Sequence, residues 1–548
     1  MAYYKDLRDY LEYLDKVGKL RTVSRPINKD TEMHPLVRWQ YLGTPEPDRT
    51  GFLFENVTGL GGKKFNCRVA TSVMAASRQM YAIGMKCETD KILETWRKAY
   101  ANPIQPRLVA TGPVKEEIHV GDGLLKHGGM DEFAVPFSTN GWESLPRLTA
   151  ASWHTKDPDT GVINAGTYNG TVLGPLHTSC RAGGTAQVRI HWAKCRQRGV
   201  PLPAAVVIGG SPAISYVSVS RVPYGVAEHS IAGGIAGEPI DVVKCETVDL
   251  SVPATSEIVL EGELSTEIME PDAASGEHLG YTIVGGLVYS FKIKAITHRK
   301  NPIWHDYISQ MPPSESSTLR GIGGEGRWLS LLRDNLGLVN VKDVAFHHCA
   351  GAWRLCVIRM QDVAGVRPHN SVVQRALLAT LLVDGSFPKM VIAVDEDINP
   401  WDLESVFWAM SFRYQPHRDT KIIQGRTSSL DQSVAPYDHT APLDLDTSYP
   451  LSRTGPQGAS AILMDATRKW PYTPIALPKK NYMENAKRIW EELGFGPLKA
   501  SEPWFGISLG VWPKEYQKQA EWAEKGEFQK VADDLLKGTQ KVDDKTVY

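Results

Sequence analysis

The chain has 548 residues, enough for roughly three domains at the usual size near 150 residues each. Its 42% hydrophobic and 22% charged residues are those of an ordinary globular protein. Lys+Arg of 61 against Asp+Glu of 62 leaves a net charge of −1, so the composition carries no electrostatic footprint for nucleic acid or an anionic membrane.

Seven scattered cysteines, without a C-x-x-C pair, argue against a disulfide framework or a zinc ribbon and favour a reducing compartment. The opening Met1–Asp9 is polar and charged, unlike a signal peptide, and no apolar run reaches the ~18 residues of a membrane span. A cytoplasmic location is expected.

Taken in order, residues 5–17 place Leu7, Leu11 and Leu14 at helical spacing, with Gly18 as the stop. Residues 51–55 look like a strand and 88–101 a charged helix, and Pro103, Pro106 and Pro113 suggest a linker. Between about 120 and 320, short β-branched runs alternate with Gly and Pro (203–208, 242–245, 258–264 and 286–296), which predicts a barrel or sandwich. Beyond 320 the spacing predicts a strand over 353–360, a helix over 371–382 ended by Asp384-Gly385, a strand over 389–394 and a helix over 401–412 opened by Asn399-Pro400. Alternating strands and helices imply parallel pairing. After a proline-rich break at 471–478, helices are expected over about 482–493 and 514–537. The division expected is 1–120, 121–320, 321–470 and a tail, 471–548.

Several motifs read as structural. The run Gly321–Gly326 has neither a clear preceding strand nor a Walker lysine and reads as an ordinary loop. His347 and His348 are adjacent and suit packing or loop hydrogen bonds, and no H-E-x-x-H or comparable zinc spacing is present. More informative are Asn164-Ala-Gly-Thr-Tyr168, His191 between large apolar neighbours, and Glu228 among small residues; an amide, an imidazole and a carboxylate together would suit Mn²⁺, and the oxygens alone Mg²⁺ or K⁺. Asp272 and Glu277 lie five apart across Ala-Ala-Ser-Gly, a spacing that matches no shared helix or strand face and reads as a bent loop bringing two acids together.

Together these pieces resemble the UbiD family of decarboxylases. The resemblance runs through Asp6–Glu12, Asn164–Tyr168 (N-x-G-x-Y), Leu250–Gly262 (L-x-V-P-A-x-x-E-I-V-L-E-G), Asp272–Tyr281, Lys389–Asn399 and Met464–Trp470. It implies an α/β multidomain fold: a central split β-barrel of flavin-reductase type, N- and C-terminal α/β domains beside it, and a helical C-terminal tail. It also implies prenylated FMN, a divalent metal (Mn²⁺ or Mg²⁺) and K⁺, a flavin prenyltransferase as cofactor supplier, and a homodimer or homohexamer. The implied ligands of the metal are Asn164, His191 and Glu228. Flavin contacts would come from these and from Thr167, Tyr168, Asn169, Ile190 and Lys389. Glu277 corresponds to the acid that protonates the product and Asp272 to its partner. The cofactor's task is to accept the electrons of the breaking C–CO₂ bond, because an sp² carbanion is poorly stabilised.

Three departures stand out. Asn169 occupies the position where the family has arginine, so the two acids are expected to repel and stay more protonated. Extra residues lie around Cys180–Gly184, and Ala461 replaces a lysine. Two readings follow: a reversible decarboxylase of an aromatic or α,β-unsaturated acid, in which an aromatic acyl-CoA such as phthaloyl-CoA is one substrate, or a non-catalytic scaffold subunit that keeps the fold.

Overall fold

Asp6 opens the first helix, Leu7–Lys16, because its carboxylate accepts the Asp9 N–H at 2.8 Å. Leu7, Tyr10, Leu11 and Leu14 are its buried face, and Gly18, at φ 70°, turns the chain out of it. This computed structural model describes residues 2–183, 186–220, 222–284, 286–383, 388–426, 431–434, 459–498 and 510–541. Asp384 and Gly385, expected to end a helix, lie outside the described residues.

Three sheets organise the chain. The first runs Leu20–Val23, Gly51–Phe54, Arg68–Thr71 and Ile303–Asp306, so its last strand arrives some 230 residues after its third. The second has nine strands and is antiparallel throughout. Its order is Ile163–Thr167, Ser152–Lys156, Leu202–Ile208, Ile258–Pro271, Leu287–His298, His177–Cys180, Gly170–Gly174 and Arg147–Leu148, with Glu117–Val120 paired to Leu287–His298. Its central strands are buried almost throughout, Leu202–Ile208 and the first half of Ile258–Pro271 among them, so they run through the middle of the core. One hydrophobic core joins its Trp153, Leu260 and Phe291 to Phe54 and Trp304 of the first sheet. The third sheet places Leu355–Met360, Met390–Val394 and Ala459–Ala466 in parallel, with Val341–Phe346 and Thr420–Arg426 antiparallel at its edges. The result is a multidomain α/β fold.

The long L-x-V-P-A-x-x-E signature has a structural centre. Glu257 is fully buried and accepts both arms of Arg8 at 2.8 Å and the Ile303 N–H at 3.0 Å, tying the first helix and the first sheet to the nine-stranded sheet. Glu257→Ala takes the carboxylate partner from Arg8 and leaves the Ile303 N–H without its acceptor, while Arg299 keeps its closer pair with Asp6. The expected loss is about 3 kcal/mol, measurable as a lower denaturant midpoint; an unchanged midpoint would mean that the helix docks without this anchor.

Several expectations are corrected. Gly321–Gly326 is not a loop but lies buried inside the helix Glu315–Leu329. Its glycines give room for neighbours: a Cβ at Gly324 would lie 2.3 Å from Trp353 Nε1, and one at Gly326 would lie 2.7 Å from Trp96. The helix expected from Trp401 starts at Leu403, because the Asp402 side chain caps the Glu404 N–H at 3.1 Å. The tail holds helices Lys480–Glu492, Lys514–Glu524 and Phe528–Leu536; Gly526, at φ 75°, splits the last two. His347 donates to the Pro400 carbonyl at 2.8 Å, a loop contact as expected. No helix among the described residues is long and apolar enough to cross a membrane.

Candidate functional site

The N-x-G-x-Y segment forms the edge strand Ile163–Thr167 and the residues just after it. Its glycine has a steric reason: a Cβ on Gly166 would lie 2.5 Å from the Tyr168 hydroxyl. Asn164 sits directly opposite Thr155, so their side chains share one face of the sheet. Thr155 Oγ1 meets His191 Nδ1 at 2.9 Å, which brings His191 to that face from the helix Gln187–Gln197. Glu228 begins the helix Glu228–Ala236 and accepts the Ala165 N–H at 2.9 Å. The three residues expected to hold a metal therefore converge from a strand and two helices, all of them buried.

Burial dominates their chemistry. It raises the Glu228 carboxyl to about 7 against two backbone donors, and it lowers His191 to about 4. A carboxylate, an amide and a neutral imidazole in a desolvated corner are a donor set that fits a divalent cation. Thr167 bonds Ser218 Oγ at 2.9 Å, and burial raises the Tyr168 phenol, with Glu228 adding to the effect. Ile190 is 41% exposed on the same helix as His191.

The two acids lie where the strand Ile258–Pro271 ends. Ser275–Gly276 pairs with Thr282–Ile283 in a small hairpin, and its turn carries Glu277–Tyr281. Asn169 and Arg181 face one another in an antiparallel bridge, and each takes one acid. Asn169 Nδ2 donates to Glu277 Oε1 at 2.9 Å. Arg181 Nε donates to Asp272 Oδ2 at 2.6 Å. Thr171 adds a 2.7 Å hydrogen bond to Asp272, and Arg147, buried, stands 3.7 Å away. His278 Nδ1 makes a short contact with Glu277 Oε2, and the His278 N–H adds a bond at 2.9 Å.

This geometry overturns the expectation that losing the family arginine leaves both acids more protonated. Burial pushes Asp272 up, but Arg147, Arg181 and Thr171 override it and hold the carboxyl below its usual range. Burial likewise opposes ionisation of Glu277, yet His278 and Arg320 bring it down to about 2. His278 itself is lowered, first by burial and then by Arg320 and Arg354, against the pull of Glu277. At neutral pH the pair is a carboxylate against a neutral imidazole. A raised pKa for Glu277 is therefore not what the fold provides.

Glu277 lines a cleft of about 480 Å³ together with Trp142, Tyr281, Gln310 and Met311. Tyr281 also borders a second cleft, of about 410 Å³, lined by Leu279, Arg354 and Lys389. Lys389 reaches Ser433 Oγ at 2.8 Å and Asp431 at 3.2 Å there. Lys389 thus belongs to the neighbourhood of the Glu277 turn. Arg147, Arg181, His278 and Arg320 were not singled out from the sequence; only the extra residues around Cys180–Gly184 hinted at Arg181.

Residues 113–312 match the 3-octaprenyl-4-hydroxybenzoate carboxy-lyase Rift-related domain, and residues 318–446 match the C-terminal domain of the same carboxy-lyase. Among solved structures, an evolved dimeric form of the UbiD-class enzyme HmfF from Pelotomaculum thermopropionicum, in complex with prFMN, is 27% identical at a TM-score of 0.72, over 88% of this chain and 100% of that one. The vanillic acid decarboxylase of Sedimentibacter hydroxybenzoicus, in its closed form, is 25% identical at a TM-score of 0.73, over 90% and 100%. The 3,4-dihydroxybenzoic acid decarboxylase of Klebsiella pneumoniae, at 22% identity and a TM-score of 0.71 over 88% and 99%, is alike in fold.

Proposed function

Because the chain belongs to the UbiD family of carboxy-lyases, we propose that it removes CO₂ from an aromatic acid with the help of prenylated FMN. The observation that carries this reading is the buried Glu277 carboxylate, gripped by Asn169 and His278 on the wall of an open cleft. Exposed Trp142, Tyr281 and Met311 at that cleft suit an aromatic ring. A CoA thioester such as phthaloyl-CoA is the finer reading of the substrate, with the reaction reversible at high CO₂.

When bound, the prenylated flavin supplies the electrophile that accepts the electrons of the breaking C–CO₂ bond. Asn164, His191 and Glu228 would hold a divalent metal ion, Mn²⁺ or Mg²⁺, with K⁺ beside it, and the nine-stranded sheet would serve as the split barrel of flavin-reductase type. Asn169 and Arg181 keep Glu277 and Asp272 apart and in place. Glu277, ionised at rest, cannot open the reaction as an acid; it receives a proton first and then passes it to the product carbon. His278 Nδ1, against Oε2, is the nearest route: the neutral ring relays a proton, taking one at Nε2 as Nδ1 passes its own to Glu277, and ends neutral.

Co-expression with a flavin prenyltransferase tests the reading. Wild-type protein should purify with flavin absorbance, and Glu228→Gln should lose most of it, since an amide replaces the one carboxylate of the cation site. A colourless, flavin-free wild-type protein under those conditions would favour the scaffold subunit.

A further inference from the structure

A second cluster of metal-ligating side chains lies away from the flavin region. His119 comes from the edge strand Glu117–Val120, His127 follows the short helix Gly123–Lys126, and Glu132 closes the 3₁₀ turn Gly129–Glu132. One ligand atom from each lies within 4.8 Å of the others. We propose that His119, His127 and Glu132 bind a divalent transition-metal ion, of the Zn²⁺ type, and that this ion clips the turn 121–132 onto the edge of the nine-stranded sheet.

The first argument is the unmet donors and acceptors. His119 Nδ1, Glu132 Oε2 and His298 Nε2 are all buried without a hydrogen-bond partner among the described residues. His119 and His298 are themselves more than nine-tenths buried. His119 Nδ1 stands 3.5 Å from Glu132 Oε2, and His298 Nε2 stands 3.5 Å from Glu132 Oε1. That is too long for an ion-paired hydrogen bond. It is close to the ~3.3 Å between two ligands of one tetrahedral ion with bonds of about 2.0 Å.

The second argument is tautomeric. His298 Nδ1 faces the Arg299 carbonyl at 2.8 Å, and a carbonyl can only accept, so Nδ1 carries the hydrogen. In the neutral ring, Nε2 therefore presents a lone pair to a carboxylate. Lone pairs facing one another in a desolvated place are relieved by a cation. An imidazole whose far nitrogen is fixed by a backbone carbonyl is also how metal-ligating histidines are commonly oriented. His298 is thus the neighbour that completes or braces the three-ligand set.

The third argument is construction and access. In the antiparallel pairing, His119 lies opposite Ile296, which puts His298 on the same face, one diagonal step away. Their rings meet edge to face at 4.9 Å, and His127 stacks on His119 at 3.7 Å. His127 is exposed, so an ion can enter from solvent. Two imidazoles and a carboxylate are borderline ligands that favour Zn²⁺ over Mg²⁺ or Ca²⁺. The other end of the same strand, at Tyr289, pairs with Cys180 next to Arg181, roughly 30 Å away along the strand. The ion is therefore a structural clip and takes no part in decarboxylation.

The experiment uses the full-length, cofactor-loaded protein. Wild type, His127→Ala and Glu132→Gln are washed with chelator, incubated with ZnSO₄, desalted, and assayed for bound zinc and thermal midpoint. Wild type should keep one more Zn²⁺ per chain than either variant and gain several degrees in Tm with zinc, while both variants keep their flavin absorbance. The exposed position of His127 makes its replacement harmless to folding, so His127→Ala separates metal loss from misfolding. Equal zinc stoichiometry and equal zinc-dependent Tm in wild type and His127→Ala would overturn the proposal.

Discussion

Glu277→Gln stops turnover on an aromatic acid substrate by about 10²–10⁴-fold, the usual contribution of one positioned proton-transfer group, while the flavin stays bound. Glutamine is nearly isosteric, and its amide oxygen still accepts the Asn169 hydrogen bond that fixes the turn. What disappears is a site that can take a proton from His278 and release it. The same change has a signature in stability. Glu277 titrates near 2 in the fold, against an ordinary value of 4.5. Its stabilising effect is therefore complete above pH 4.5 and is lost as pH falls from 4.5 towards 2, by about 3 kcal/mol in all. The variant should show a correspondingly flatter acid-denaturation curve. In the free enzyme, the pH profile of kcat/KM should carry no limb near 4.5 from Glu277, because this group is already ionised there. Full activity in Glu277→Gln would remove the proton-transfer role, whatever the melting curve shows.

The elements with strong local periodicity were legible in the chain alone. The helix Leu7–Lys16 has a cap, an apolar stripe and a glycine stop within a dozen residues, and each is a local property. The strands Leu202–Ile208, Ile258–Pro271 and Leu287–His298 follow from β-branched runs in the same way. The site was legible only in its types. Asn164 and Glu228 could be named, but the contact between Glu228 and Ala165 spans 63 positions. Arg181 and Asp272 are 91 positions apart, and Asn169 and Glu277 are 108 apart. No spacing rule reaches that far. The glycines of 321–326 misled for a related reason: glycine reads locally as a breaker, whereas here its missing Cβ admits Trp353 and Trp96 against a buried helix. His119, His127 and Glu132 escaped notice because they come from a strand, a helix end and a 3₁₀ turn, so their spacing resembles no metal motif.

The substitution at Asn169 acquires a different meaning once Arg181 is in view. The guanidinium missing from one side of the antiparallel bridge is present on the other, where it grips Asp272, whose side chain is fully buried. Arg181→Met should therefore cost about 3 kcal/mol, the scale of a broken buried ion pair, with Arg147 at 3.7 Å softening the loss. Activity should fall as well, since an unanchored Asp272 no longer fixes the hairpin that carries Glu277. The decisive variant is the double change Asn169→Arg with Arg181→Met, which moves the guanidinium across the bridge to the position the family prefers. If the charge and not the address matters, the double variant should recover at least half of the lost stability and part of kcat relative to Arg181→Met alone. A double-mutant cycle on the denaturant midpoint measures that coupling directly. Additive losses, with Asn169→Arg giving no rescue, would mean that Arg181 only braces its own strand and that the acids are organised by His278 and Arg147 instead.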